Sequence, residues 1–374
     1  MPALLRARTG SARGALAWTV PLLLTLGACQ AAPDGGAEPT LRLGYFATVT
    51  HAPALVGLAT GSLADALGET ELAPQVFGAG PAAIEALNAG AIDAAFIGPA
   101  PAITGFVQTD GQGLRIVSGA TAGGAQLVVQ PDVSSPADLR GATLASPQLG
   151  GTQDVALRTW LREQGIVTDL RGGGDASITP TASALALQLF RDSEISGAWL
   201  PEPWASRAVI EAGGTVLVDE AELWPNRVFP TTYLVVSADY LAGNPDAVAD
   251  LVRGLADTIE WIEADRARAH DVVADSLRSL GLELDAEVLD RALSRVEFTL
   301  DPLAEVIPEL RDRAVAAGTT PEAPLIGIVD LRTLNALRAE RGAGPIPDAG
   351  LGVGGTAQAG HPAAGTPDAG HGRY

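Results

Sequence analysis

Lysine is absent from this chain of 374 residues; all 24 of its basic side chains are arginine. That excludes a nucleotide P-loop, which sets a lysine after its glycines. Cysteine occurs once, at Cys29, so no disulfide can form within the chain and a catalytic thiol would have to be this one. No basic run interleaved with aromatics occurs, and 44 acidic residues bring the formal charge to -20. Nucleic acid is thereby disfavoured as a partner, and the acidity itself speaks of solubility rather than function. Outside the N-terminus no long apolar stretch is free of charge, so a mature protein with a spanning helix is not expected. What is there suits two ordinary domains: 47% hydrophobic residues over a length able to bury two cores.

The N-terminus reads as a targeting signal over residues 1–28. Arg6, Arg8 and Arg13 form a basic region, residues 15–26 an apolar core, and Leu26-Gly27-Ala28 close it before Cys29. These four residues resemble a bacterial lipobox, in which the cysteine is lipidated and becomes the new N-terminus; a soluble protein cut nearby is the alternative. Residues 29–39, small and polar, then read as a tether.

From Thr40 strand and helix patterns alternate. "LRLGYF" (41–46), "ELAPQVF" (71–77), "IDAAFIG" (92–98), "LRIVSG" (114–119) and "AQLVVQ" (125–130) read as strands, with a helix from Pro81 to Ala89 among the segments between. A second series has strands near Thr143, over 197–200 and over 215–219, with helices over 153–164, 182–190 and 203–212. Such alternation implies βαβ units and mainly parallel sheets. After "TTYLVVS" (231–237) the pattern turns to helices only, and Trp160 and Trp261 fall on apolar helical faces. "IDAAFIGPAPA" and "ISGAWLPEPWA" share one order of strand, proline-bearing turn and helix start, either by chance or because two lobes follow one plan. The Gly/Ala/Pro-rich tail, 342–374, is expected to be disordered. Its "GLGVGG" has no strand before it and no helix after it, and its His361 and His371 lie too far apart for more than a weak metal hint. No cofactor and no metal site is expected.

Ligands of open α/β sheets bind beyond the carboxyl ends of the strands. Five turns are candidates: "ATVTHAP" (47–53), "GPAPA" (98–102), "SGATAGG" (118–124), "QLGGTQD" (148–154) and "PEPW" (201–204). They offer amides and hydroxyls without fixed positive charge, which suits a small oxyanion at helix N-termini. Thr152 and Asp154 also read as an ordinary cap and a first-turn acid. Gly150 and Gly151 are not needed for capping, so they point to a close approach of backbone and ligand.

"GYFATVTHAPALVGLATG", "GAIDAAFIGPAP", "SGATAGGAQLVV", "SPQLGGTQDVALRTWL" and "GAWLPEPWASRAV" resemble the solute-binding proteins of ABC importers for nitrate, sulfonate, taurine and related compounds. The resemblance covers residues 41–341. It implies an α/β, two-lobed periplasmic-binding-protein-like fold of type II: lobe 1 from 40–124 and 229–341, lobe 2 from 125–228, the ligand between them, and C-terminal helices over lobe 1. By position it implies Thr48, Thr50, His51, Gly98, Pro99 and Pro101 on one wall. Ser118 and Gly119 would end the strand leading to the crossover. Gly150, Gly151, Thr152 and Gln153, with Glu202 and Trp204, would form the other wall. No arginine lies in these turns, and Glu202 would oppose an anion unless the ligand also carries an amine. The implied function is capture of a small organic sulfonate, taurine or an alkanesulfonate, or a related anion, by a monomeric exported lipoprotein, membrane-anchored on the periplasmic or extracellular face, that delivers it to permease subunits. Nitrate, bicarbonate or a thiamine-precursor pyrimidine are alternatives. A desulfinase on this fold would use a cysteine nucleophile and a pyrimidine synthase a lysine, and the folded part offers neither.

Overall fold

The computed structural model describes residues 39–354; the leader, Cys29 and most of the tether lie outside these residues. Eleven described strands form two sheets. In the first, β1 (Thr40–Phe46), β2 (Glu71–Phe77) and β3 (Ala94–Ile97) lie parallel in the order β2-β1-β3, and β10 (Pro230–Ser237), β4 (Leu114–Gly123) and β11 (Val296–Phe298) continue it antiparallel. In the second, β6 (Thr143–Ser146), β7 (Ser177–Pro180) and β8 (Gly197–Pro201) lie parallel as β7-β6-β8. Beyond them β5 (Ala125–Val129) and β9 (Thr215–Asp219) run antiparallel.

Both sheets are therefore mixed, which corrects the expectation of mainly parallel sheets. A strand's hydrophobic pattern carries no direction. Helical crossovers keep one direction through β1, β2, β3 and β4 and through β6, β7, β8 and β9, whereas β5 and β10, which each enter from the other sheet, and the short β11 run against them. The repeat of order is informative: β3 and β8, the strands of the two similar sequence segments, hold equivalent places in their sheets. Two short strands, β7 and β11, escaped the sequence reading.

Helices begin where proline fits a first turn, as at Gly80–Asn88, Pro99–Gln108 and Pro245–Ala264. Fully buried Leu41, Leu43, Phe96 and Tyr233 centre the core of the first sheet, and Phe190, Ala198 and Leu200 that on one face of the second. The C-terminal helices do more than cover the first sheet. Helix Ile307–Ala316 brings Ala314 against Ala100 of Pro99–Gln108 and Val155 of Thr152–Glu163, so it touches the helices of both sheets.

The tail expectation fails for residues 342–354. Ile346 and Leu351 are buried, Asn335 exchanges two hydrogen bonds with the backbone of Ile346 (2.8 and 3.0 Å), and Gly352 bridges Val329. Val329 in turn bridges Ile116 of β4. Two apolar side chains and one asparagine suffice to hold this strap, a signal too sparse to register against its glycines and prolines. Residues 355–374, with His361 and His371, lie outside the described part.

Candidate functional site

A cavity of about 390 Å³ opens between the two sheets. Its walls are the turns that follow all six parallel strands: Ala47, Thr48, Thr50 and His51 after β1, Gly78 to Gly80 after β2, Gly98 and Pro101 after β3, Pro147, Gln148 and 151–153 after β6, 182–184 after β7, and Trp204 after β8. None of the N-cap side chains at these turns caps its helix; the Ala100 amide goes to Thr152 and the Ser206 amide to Glu202, which leaves Gly80–Asn88, Thr152–Glu163 and Ser183–Arg191 as the three helix starts open to a ligand. The first amides of such helices have no intrahelical partner and carry the positive end of the dipole.

The lining has no charged side chain. Phe46, Phe77, Val76 and Trp204 supply apolar surface, while Thr48, Thr50, Gln148, Gln153 and Ser183 supply polar groups. The Gln148 side-chain oxygen is buried without a protein partner, leaving that carboxamide available to a ligand. The Trp204 ring also carries the Arg207 guanidinium at 5.1 Å on one face.

His51 is buried, stacks on Phe46 at 4.4 Å and accepts the Phe46 amide at Nδ1 (3.3 Å). That bond puts the ring proton on Nε2. Burial pushes its pKa down to about 3, so the ring is a neutral donor at physiological pH. The unfolded chain protonates this ring near 6.5 and the folded one does not, so its contribution to stability falls as pH drops from about 6.5 toward 3. We expect wild type to lose stability against His51→Gln by about 1.4 kcal/mol per pH unit between roughly pH 6 and 4, measured by denaturant unfolding. Equal pH profiles would show that the ring titrates normally. Glu220 acts with opposite sign: burial raises it to about 7, offset in part by the Trp199 indole N–H at 2.7 Å.

The two walls meet directly. Thr152 Oγ1 accepts the Ala100 amide at 3.4 Å, and Thr48 Oγ1 donates to the Glu202 carbonyl at 2.6 Å. A Cβ at Gly98 would stand 2.5 Å from Thr152 Oγ1, so only glycine leaves room for this approach. The β10 strand supports the first wall from behind, since Thr232 Oγ1 donates to the Thr50 carbonyl at 2.9 Å.

Of the residues proposed from sequence, Thr48, Thr50, His51, Gly98, Pro101, Gly151, Thr152, Gln153 and Trp204 line the cavity. Five do not. Pro99 is buried in the first turn of its helix. Ser118 and Gly119 lie beneath the segment 299–301, where Ser118 Oγ donates to the Leu300 carbonyl and the Gly119 amide does the same. Gly150, at φ 74°, faces a neighbouring groove with Leu170 and Thr319. Glu202 is fully buried, with its carboxylate on the Ser206 amide and on Arg291 at 3.1 Å, so it does not confront an anion in the cavity. Sequence reasoning missed the turns after β2 and β7. The glycines of "FGAGP" behind a recognised strand were the available signal for the first.

A family model for the NMT1-like family matches residues 34–277. A curated protein of Brucella abortus described as a binding protein is 23% identical over 214 residues, 57% of this chain; the chain spans 64% of that relative's length. Among solved structures, the alkanesulfonate-binding protein SsuA from Xanthomonas axonopodis pv. citri, bound to MOPS, superposes with a TM-score of 0.64 at 24% identity, over 76% of this chain and 96% of that one. The periplasmic nitrate-binding protein NrtA from Synechocystis gives 0.65 at 17% identity, over 76% and 83%. These likenesses show a periplasmic-binding-protein fold. With a family match over more than half its length, the chain belongs to the NMT1-like family.

Proposed function

We propose that this chain is the extracytoplasmic solute-binding component of an ABC importer, capturing a small organic sulfonate (taurine or an alkanesulfonate) or related anion by closure of two lobes, 40–124 with 229–341 and 125–228. The observation that carries this reading is the convergence of the turns after all six parallel strands on one cavity, with three open helix N-termini among them. Each dipole contributes about 0.3 to 1 kcal/mol toward an anion, and the amides and hydroxyls add hydrogen bonds of about 1 kcal/mol. The apolar walls accommodate an organic body, in a volume within the usual range of small-molecule sites. The alkanesulfonate of SsuA and the nitrate of NrtA, both anions at physiological pH, support the same class. No chemistry is needed for this role. Export, lipidation at Cys29 and delivery to membrane permease subunits belong to the same proposal.

The uncharged lining favours a second ligand class, a neutral heteroaromatic such as hydroxymethylpyrimidine held between aromatic walls. Thermal unfolding of the mature protein with alkanesulfonates, taurine, nitrate, bicarbonate and the pyrimidine separates the two. A ligand at 100 times its dissociation constant adds about 2.7 kcal/mol to stability. We expect that gain with a sulfonate. A gain with the pyrimidine and none with any anion would overturn the sulfonate reading.

A further inference from the structure

Arg291 sits on helix Ala286–Leu293, outside the cavity lining, yet its guanidinium reaches into the second sheet's domain. Nη1 donates to Glu202 Oε1 at 3.1 Å and to Ser206 Oγ at 2.7 Å, and Nη2 to Gln126 Oε1 at 2.8 Å. Gln126 passes the contact on, its amide donating to Asp219 at 3.0 Å. One planar fork thus joins the start of β5 and the turn after β8, and reaches the end of β9 through Gln126. The Glu202 carboxylate it neutralises is fully buried, and its remaining oxygen takes the Ser206 amide at 3.0 Å.

Glu202 is the point where the other wall attaches. Its carbonyl receives Thr48 Oγ1, its amide donates to the Gly124 carbonyl at 2.9 Å, and two residues on stands Trp204 in the cavity wall. From these contacts we infer that Arg291 is a positioning residue for the binding cavity. By holding the Glu202 turn it fixes both the seat of Thr48 and the place of Trp204, so that the C-terminal helical layer governs the cavity from outside. The inference rests on the ligand reading above for its consequence in affinity, and on geometry for the coupling itself.

Because the coupling is a property of the protein without ligand, amide hydrogen exchange on the full chain tests it, comparing wild type, Arg291→Gln and Arg291→Lys. In Arg291→Gln we expect exchange at least tenfold faster in residues 199–206 and also in 45–52, to which Arg291 makes no hydrogen bond, with Pro245–Ala264 unchanged. Lysine, a point charge, cannot serve three acceptors from one plane, so Arg291→Lys should loosen both segments by a smaller factor. Should Arg291→Gln fail to fold, the lysine variant carries the test. In Thr48→Val the lysine substitution should have no further effect on 45–52. Loosening confined to 199–206, or an equal acceleration throughout the chain, would overturn the inference. A second arm measures hexanesulfonate binding by calorimetry, where Arg291→Gln should weaken affinity about tenfold. Failure of wild type to bind hexanesulfonate counts against the sulfonate reading, while the exchange result still decides the role of Arg291.

Discussion

Gly98→Ala should abolish tight ligand binding, weakening it by at least about 100-fold, or about 2.7 kcal/mol. The added methyl would stand 2.5 Å from Thr152 Oγ1 and 3.6 Å from the Thr231 carbonyl, and the first of these distances is below any real Cβ contact. Its cost falls on the approach of the two walls, because Gly98 itself has φ -69°, ψ 156°, a conformation open to alanine. Unliganded stability should therefore change by no more than about 1 kcal/mol. The partner variant makes the argument specific: Gly98→Ala with Thr152→Ala removes the obstructing hydroxyl and should bind more tightly than Gly98→Ala, a coupling that neighbours in contact show and distant residues do not. Calorimetry with the ligand of largest thermal shift reads both. Wild-type affinity in the single variant would mean that the walls do not need this contact.

The second large effect concerns stability. Asp154, read from sequence as an ordinary first-turn acid, is fully buried and holds the turn before its helix together. Its carboxylate accepts Ser146 Oγ at 2.7 Å, the Gly150 amide at 3.0 Å and Arg158 Nε at 2.9 Å. Arg158 is 4% exposed, and its Nη1 reaches the Asp169 carbonyl at 2.9 Å. Removing one partner of a buried pair leaves the other charged and alone, which costs about 3 to 5 kcal/mol. Asp154→Ala should therefore lose that much in denaturant unfolding and release residues 147–153 from the cavity wall. Asp154→Ala with Arg158→Met should recover a good part of the stability, since no unpaired charge remains, without recovering the turn or the ligand affinity. A loss under 1 kcal/mol in the single variant would show that water reaches the pair.

How far the sequence told of this site can be argued turn by turn. Four of the five turns singled out follow parallel strands and line the cavity, because a strand, a small-residue turn and a helix start leave a joint signature. The fifth, 118–124, fails because it is no turn: β4 runs on to Gly123 and leads through Gly124 straight into β5, and small residues alone do not tell a strand's continuation from its end. The turn after β7 was invisible: "SITP" is four residues ending in proline, too short for alternation to show. Individual roles were harder still. Glu202 looked like an obstacle to an anion because its counterion, Arg291, stands 89 residues away along the chain. The resemblance to the solute-binding proteins for nitrate, sulfonate and taurine, by contrast, was legible from these turns, and the NMT1-like match agrees with it.

The strap at 342–354 bears on how this molecule meets its own copies. A lone strand flank offers free amides and carbonyls on which a second chain can build. Here the amide of Ile116 is taken by the Ile328 carbonyl at 2.8 Å, and the amides of Gly327 and Val329 by the Leu351 carbonyl at 2.9 and 3.3 Å. The strap thus occupies a place that an aggregating neighbour would otherwise take.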